Sequence, residues 1–206
     1  MDNKETKIYV IRHGQSEGNL KRQILGHTDL ELTELGQEQA EKCAEFLKDV
    51  KVDAIYSSDL LRAYHTARPH AVSRGIKIQT SEQLRELYFG DWDGAMVSSV
   101  ENTDMFQIGW RENFGTFTAP SGESVPALAE RVYKFIEEKA IQNPGKTLMF
   151  VFHAAAIRSF WGKISGVSFE KLAQCLAFPE NASVSLATYK NGKFTPINYS
   201  VSSFLK

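Results

Sequence analysis

After a short polar stretch the chain enters an apolar run, Ile8-Tyr9-Val10-Ile11, whose β-branched and aromatic residues predict a buried strand ending at Arg12, His13 and Gly14. Residues 20–32 show no clear period and are expected to wrap over the strand ends. Thr33 is a good helix N-cap, and Ala40, Cys43, Ala44 and Leu47 recur behind it at helical spacing. Residues 52–56 predict a second strand. Ser57, Ser58 and Asp59 then offer caps for a helix to about Ser73, kinked or interrupted at Pro69 and closed by Gly75. Residues 76–79 predict a short third strand. From Ser124, the positions Val125, Leu128, Val132, Ile136 and Ala140 share one helical face, and Asn143-Pro144-Gly145 stops that helix. Residues 147–152 are almost wholly apolar, as a central strand should be, and His153 and a helix to about Ser165 follow. Asn191-Gly192 joins two further strand patterns, 183–189 and 194–201, into a hairpin, and Pro196 confines the second to an edge.

Strands alternating with helices predict an α/β fold: three α/β/α layers around a mostly parallel central sheet, with the C-terminal hairpin at its edge. Residues 82–123 break the rhythm. They have no clean period and carry Tyr88, Phe89, Trp92, Phe106, Trp110, Phe114 and Phe117. Two readings stand equal: a cap over a site, or a helical excursion whose aromatics fill a core. Residues 1–206 are read as one domain, with about 82–123 as a cap-like insertion.

Composition narrows the classes. Of 206 residues, 42% are hydrophobic and 24% charged, ordinary for a globular protein, and the formal net charge of −1 gives no basis for a nucleic-acid partner. No apolar run approaches the length of a membrane span, and the polar N-terminus carries no secretory pattern, so a cytoplasmic location is expected. Cys43 and Cys175, widely separated, are read as buried free thiols suited to a reducing compartment.

Chemistry collects where strands of an open sheet end. Arg12 offers a planar fork of donors suited to phosphate oxygens, and His13 offers a base, a nucleophile or a ligand. Gly14 and Gly18 allow close backbone approach. His153 repeats the placement at the end of a second apolar run. Arg62 falls in the first turn of a helix leaving a strand end, where free amides and the helix dipole favour anions. Glu86, Asp91 and Asp93 are rival carboxylates for acid–base work, and the residues alone do not choose among them. His27, His65 and His70 show no metal-ligand spacing.

Arg12-His13-Gly14-Gln15-Ser16-Glu17-Gly18-Asn19 after a strand, followed by Leu32-Thr33-Glu34-Leu35-Gly36, resembles the histidine phosphatase superfamily, the phosphoglycerate-mutase-like group. Further motifs follow in the family's order: Ser57 to Ala67 with Arg62, Leu84 to Gly94 with Glu86, and Phe152 to Arg158 with His153. The resemblance implies that His13 becomes a phosphohistidine, that Arg12, Arg62 and protonated His153 neutralise the phosphoryl oxygens, and that Glu86 is the general acid and base. It further implies that Asn19, and with it Gln15 and Ser16 of the same loop, reach the phosphate or the substrate, beside Ala154. Ala154 and Ala155 depart from the family, which more often has glycines after this histidine.

The activity implied is that of a histidine acid phosphatase-like hydrolase of small phosphomonoesters, using no cofactor and no metal. Its partner is the small molecule, with no membrane or nucleic acid and with a homodimer as the protein-level option. A phosphoglycerate-mutase-type phosphotransferase and a catalytically silent phosphate-binding module are the alternatives. Phe89-Gly90-Asp91-Trp92-Asp93-Gly94 resembles the phosphatase branch. A mutase also needs cations to grip a second anionic group, and residues 95–122 supply only Arg111.

Overall fold

The computed structural model describes residues 4–206; of the polar N-terminus read above for a secretory pattern, residues 1–3 lie outside them. Strand β1 (Thr6–Arg12) runs into the short helix α1 (Glu17–Lys21) and then α2 (Glu34–Phe46). Strand β2 (Ala54–Ser57), helix α3 (Leu61–Arg74) and strand β3 (Ile78–Thr80) complete the first half. Helix α4 (Val97–Val100) lies in the irregular segment, which leads into α5 (Val125–Gln142), β4 (Thr147–Phe152), α6 (Ala154–Ile164) and α7 (Leu172–Cys175). The hairpin β5 (Val184–Lys190) and β6 (Lys193–Val201) follows, turning through Asn191 and Gly192 with φ of 52° and 77°, the left-handed pair that a tight hairpin requires.

The six strands are ordered β3-β2-β4-β1-β5-β6. The first four are mutually parallel, and β5 and β6 are antiparallel additions that leave β6, with Pro196, at the edge. Alternation along the central strands builds two cores. Ile8, Val10, Leu148, Phe150 and Phe152 face α5 and α6, whereas Ile11, Met149 and Val151 face α2 and α3. The sheet is therefore the middle of three layers, as its sequence pattern predicts. Val125, Leu128, Val132, Ile136 and Ala140 are all buried, so the α5 face was legible.

Three local expectations change. Helix α3 runs on through Pro69 without interruption, its halves held by Ala63, Ala67 and Ala71 in the second core. Its N-cap is Leu60 rather than a polar side chain, and Asp29 reaches across to accept the Leu61 amide at 2.8 Å. Cys43 is buried but Cys175, in the short α7, is exposed. Among the described residues no helix is long and apolar enough to cross a membrane.

Residues 82–123 combine 3₁₀ turns at Glu82–Leu84, Gly90–Trp92 and Phe114–Thr116 with α4 and a π-helical stretch, Met105–Glu112. Phe89, Phe106, Phe114 and Phe117 are all buried in the first core, and Phe89 and Phe106 together with Trp92 and Trp110 also line a cavity beside the strand ends. The segment thus fills a core and also walls a site.

Candidate active site

Because β1 and β4 are parallel neighbours in register, with Arg12 opposite Phe152, the residues that follow them emerge side by side. His13 donates its backbone N–H to the Phe152 carbonyl at 2.9 Å, and the rings of His13 and His153 lie 5.2 Å apart. The His13 ring is fixed by Nδ1, 2.7 Å from the Gly14 carbonyl. A carbonyl can only accept, so Nδ1 carries the proton and the lone pair of the neutral ring sits on Nε2. Gly14 donates its amide to Thr66 Oγ1 at 2.9 Å, which ties the loop to α3. A Cβ on Gly14 would stand 2.4 Å from the Gly36 carbonyl oxygen, and one on Gly36 would stand 2.0 Å from that of Gln15. Both positions need glycine because two backbones touch here.

Arg62 leaves the first turn of α3 and is fully buried. Its NH1 and NH2 donate to the carbonyls of Thr28 and Gly26, each at 2.8 Å. Its Nε has no partner. Arg12 gives NH1 to the Pro179 carbonyl at 2.7 Å and likewise leaves its buried Nε unpaired. Both ring nitrogens of His153 are buried without a partner. Unpaired buried donors are costly, and Arg12, Arg62, His13 and His153 lie close enough to act on one another's charge, although Arg62 and His153 do not themselves line the cavity beside the strand ends.

Burial, then Arg62 and Arg12, holds the His13 pKa well below the usual imidazole value. Burial, Arg62, His13 and Arg12 do the same for His153. The family resemblance implied a protonated His153; burial and these cationic neighbours work against a proton on either ring. A phosphate dianion reverses the sign of the field and favours the proton on His153. Burial lowers Arg12 to about 10, with Glu86 and Tyr199 pulling it back up.

Glu86 is the buried carboxylate of the three candidates. Its Oε1 accepts the amides of Leu87 at 2.8 Å and Ala156 at 2.9 Å, and its Oε2 accepts that of Ala155 at 2.9 Å. It therefore sits on the first turn of α6, where free amides converge. Burial raises its pKa and outweighs these bonds and the field of Arg62. Its backbone is strapped from behind: Arg131 of α5 reaches the carbonyls of Gln83, Arg85 and Glu86, while pairing with Glu123 at 2.8 Å. Asp91 instead accepts the Ser121 hydroxyl, and Asp93 accepts the amides of residues 26–28.

A cavity of about 280 Å³ opens from Arg12, His13, Glu86 and Asn19 onto Ala154, Phe89, Trp92, Trp110 and Phe178. Asn19 Oδ1 takes N–H bonds from Ser16 and from Asn181 Nδ2, which leaves its own amide nitrogen for a ligand. Ser16 does not line the cavity: it is buried as the N-cap of α1, in a capping box with Asn19. Gln15 does not line it either, its side chain holding the Thr33 hydroxyl at 2.9 Å. These two residues shape the loop that carries Asn19. Arg158 turns away from the site, donating to the carbonyls of Leu176 and Ala173 and lying between the rings of Phe114 and Phe178 at 4.4 and 4.2 Å. Among the described residues no group of three or more His, Cys, Asp or Glu side chains is placed to hold a metal ion.

Known proteins resemble this chain in sequence and in fold. The chain is 34% identical over 169 residues to putative phosphoserine phosphatase 2 of Hydrogenobacter thermophilus, covering 81% of this chain and 82% of that one. It is 32% identical over 172 residues to a 2,3-bisphosphoglycerate-dependent phosphoglycerate mutase of Cytophaga hutchinsonii, covering 81% and 80%. The structure of a mycobacterial glucosyl-3-phosphoglycerate phosphatase superposes with a TM-score of 0.87 at 26% identity, over 96% of this chain and all of that one. The sequence model of branch 1 of the family matches residues 8–201, and the chain belongs to the histidine phosphatase superfamily.

Proposed function

We propose that the chain hydrolyses small phosphomonoesters through a phosphohistidine on His13. The observation that carries this is the set of unpaired buried donors on Arg12, Arg62 and His153, all acting with His13, a buried imidazole whose Nδ1 bond leaves the Nε2 lone pair free. Nε2 attacks phosphorus as the bond to the ester oxygen breaks, and Glu86 gives that oxygen its proton. Water then attacks the phosphohistidine, passing a proton to the Glu86 carboxylate while the P–N bond breaks and phosphate leaves. Arg12, Arg62 and His153, protonated once the phosphate arrives, neutralise the equatorial oxygens, which is why the chemistry needs no metal. Within Glu86, Oε2 accepts one amide against two at Oε1 and keeps the freer lone pair for the proton.

Residues 82–123 act in this reading as a cap that selects the ester's organic part. Arg12 is the only Arg or Lys lining the cavity among the described residues; Arg111 lies 5.3 Å from the Phe106 ring and does not line it. A substrate with one phosphate and an apolar or aromatic remainder fits such walls, and a second anionic group finds no grip. This favours phosphatase over mutase, although relatives of both kinds exist. A silent binding module would have no use for a buried acid opposite a nucleophile.

The decisive experiment is rapid quench during turnover of an aryl phosphate. An acid-labile phosphoryl group on His13, absent in His13→Ala together with turnover, is expected. Full activity in His13→Ala would refute the mechanism. Interconversion of phosphoglycerate isomers faster than hydrolysis, or dependence on bisphosphoglycerate, would replace phosphatase by mutase.

A further inference from the structure

Asp93 lies in the cap segment, does not line the cavity, and both oxygens of its carboxylate are held by another loop. Oδ1 accepts the amides of Gly26 and Thr28 at 3.1 Å each, and Oδ2 accepts that of His27 at 2.6 Å. The carbonyls of the same short loop, Gly26 and Thr28, are the two that hold NH2 and NH1 of Arg62. The loop is a two-sided adaptor: its amides face a carboxylate and its carbonyls face a guanidinium. With both terminal nitrogens taken, the guanidinium plane is set and its buried Nε stays unpaired. The room is tight as well, since a Cβ on Gly26 would lie 2.6 Å from the Leu87 carbonyl oxygen and 2.8 Å from Asp93 Oδ2. Backbone bonds between residues 22–24 and 94–97 staple the adaptor to the cap, among them Ile24 to Ala95 and Gly94 to Ile24, each 2.8 Å.

We infer that Asp93 is a positioning residue for oxyanion binding, aiming Arg62 through the loop 26–28. This rests on the reading of Arg62 as a phosphate ligand. Asp93 touches no substrate; it fixes the carbonyls that fix the arginine, and so couples the cap to the phosphate end of the site.

The test is a double-mutant cycle on inorganic phosphate binding, read by calorimetry without turnover. Asp93→Asn is nearly isosteric but places an amide against N–H groups. It is expected to weaken phosphate binding roughly tenfold in the parent, the worth of one loosened charge-assisted bond. In the Arg62→Ala background it should cost less than about twofold, because the group it aims is gone. Asp93→Glu keeps the charge but shifts the carboxylate, and should behave like Asp93→Asn; it also carries the comparison if the asparagine variant does not fold. Asp91→Asn, on an exposed neighbour bonded to Ser121, should leave phosphate binding unchanged. Equal losses in both backgrounds, no loss in the parent, or phosphate affinity in Arg62→Ala equal to the parent's would each overturn the inference. A parent that binds phosphate but hydrolyses no ester would defeat the catalytic reading while this comparison still stands.

Discussion

Glu86→Gln separates acid catalysis from binding because the structure dictates how the new side chain must sit. Its carbonyl oxygen takes the Oε1 place, where two amides, Leu87 and Ala156, need an acceptor. Its NH2 is then forced into the Oε2 place, against the Ala155 N–H. A donor facing a buried donor costs about 1–3 kcal/mol, so the variant should unfold more easily by that amount. Catalysis suffers separately. A positioned general acid contributes roughly 10²–10⁴-fold, and this should be lost in full on alkyl phosphates, whose alkoxide leaves poorly. On nitrophenyl phosphate, which departs unprotonated, the loss in the first step should be far smaller. The assay is kcat/KM for a series of esters graded by leaving-group pKa, with inorganic phosphate inhibition as the binding control. A steeper dependence on leaving-group pKa in the variant is expected. An equal loss across the series would refute the assignment of the acid to Glu86.

Trp110 meets the rings of Phe89 and Phe178 at 5.1 and 5.4 Å, so Trp110→Ala should raise KM for aryl phosphates roughly tenfold while leaving small esters such as phosphoserine nearly unchanged; equal effects on both would remove the cap from substrate selection. Ala154→Gly should widen the cavity, lowering KM for branched esters with little change in phosphate inhibition, which a substrate panel would read. His13, His153 and His70, the last lowered by burial to about 3, are held neutral in the folded chain, so below about pH 6.5 the unfolded state binds more protons. Stability in denaturant should then fall as pH drops, by roughly 1.4 kcal/mol per pH unit for each imidazole, opposed in part by Glu86, whose raised pKa acts in the other direction. Phosphate should flatten that limb by protonating His153; a flat profile without phosphate would mean that the imidazoles are not buried neutral.

What the sequence made legible follows from which forces act locally. The buried strands and the α5 face are near-continuous or periodic apolar patterns, and the two histidines stand out because each follows such a run. Asn191-Gly192 announces its turn because few other residues take both left-handed positions. The partners that aim these groups were not visible, because they act across long separations with no periodic signal. Asp93 meets residues 26–28, Asp29 caps α3 from the neighbouring loop, and Arg131 holds the backbone of Glu86 from another helix. Asp59, three residues before Arg62, pairs instead with Arg85 at 2.5 Å, since Arg62 is buried with the 26–28 loop. Ser16 shows the converse: the resemblance implied that it reaches the phosphate or substrate, whereas its position before a short helix makes it a cap.

The placement of β1 has a consequence for how the protein comes to exist. Among the described strands it precedes both of its neighbours, β4 and β5, which lie far later in the chain. Arg12 is held by the Pro179 carbonyl, and the His13 carbonyl by Asn181 and the Ala182 amide. Until the segment from Pro179 to Ala182 has been made and β5 has docked, the His13 loop lacks these contacts, and β1 stays a sticky apolar segment with an unmatched edge. Folding should therefore be late and concerted, with catalytic competence arriving in the same step as the closing of the sheet.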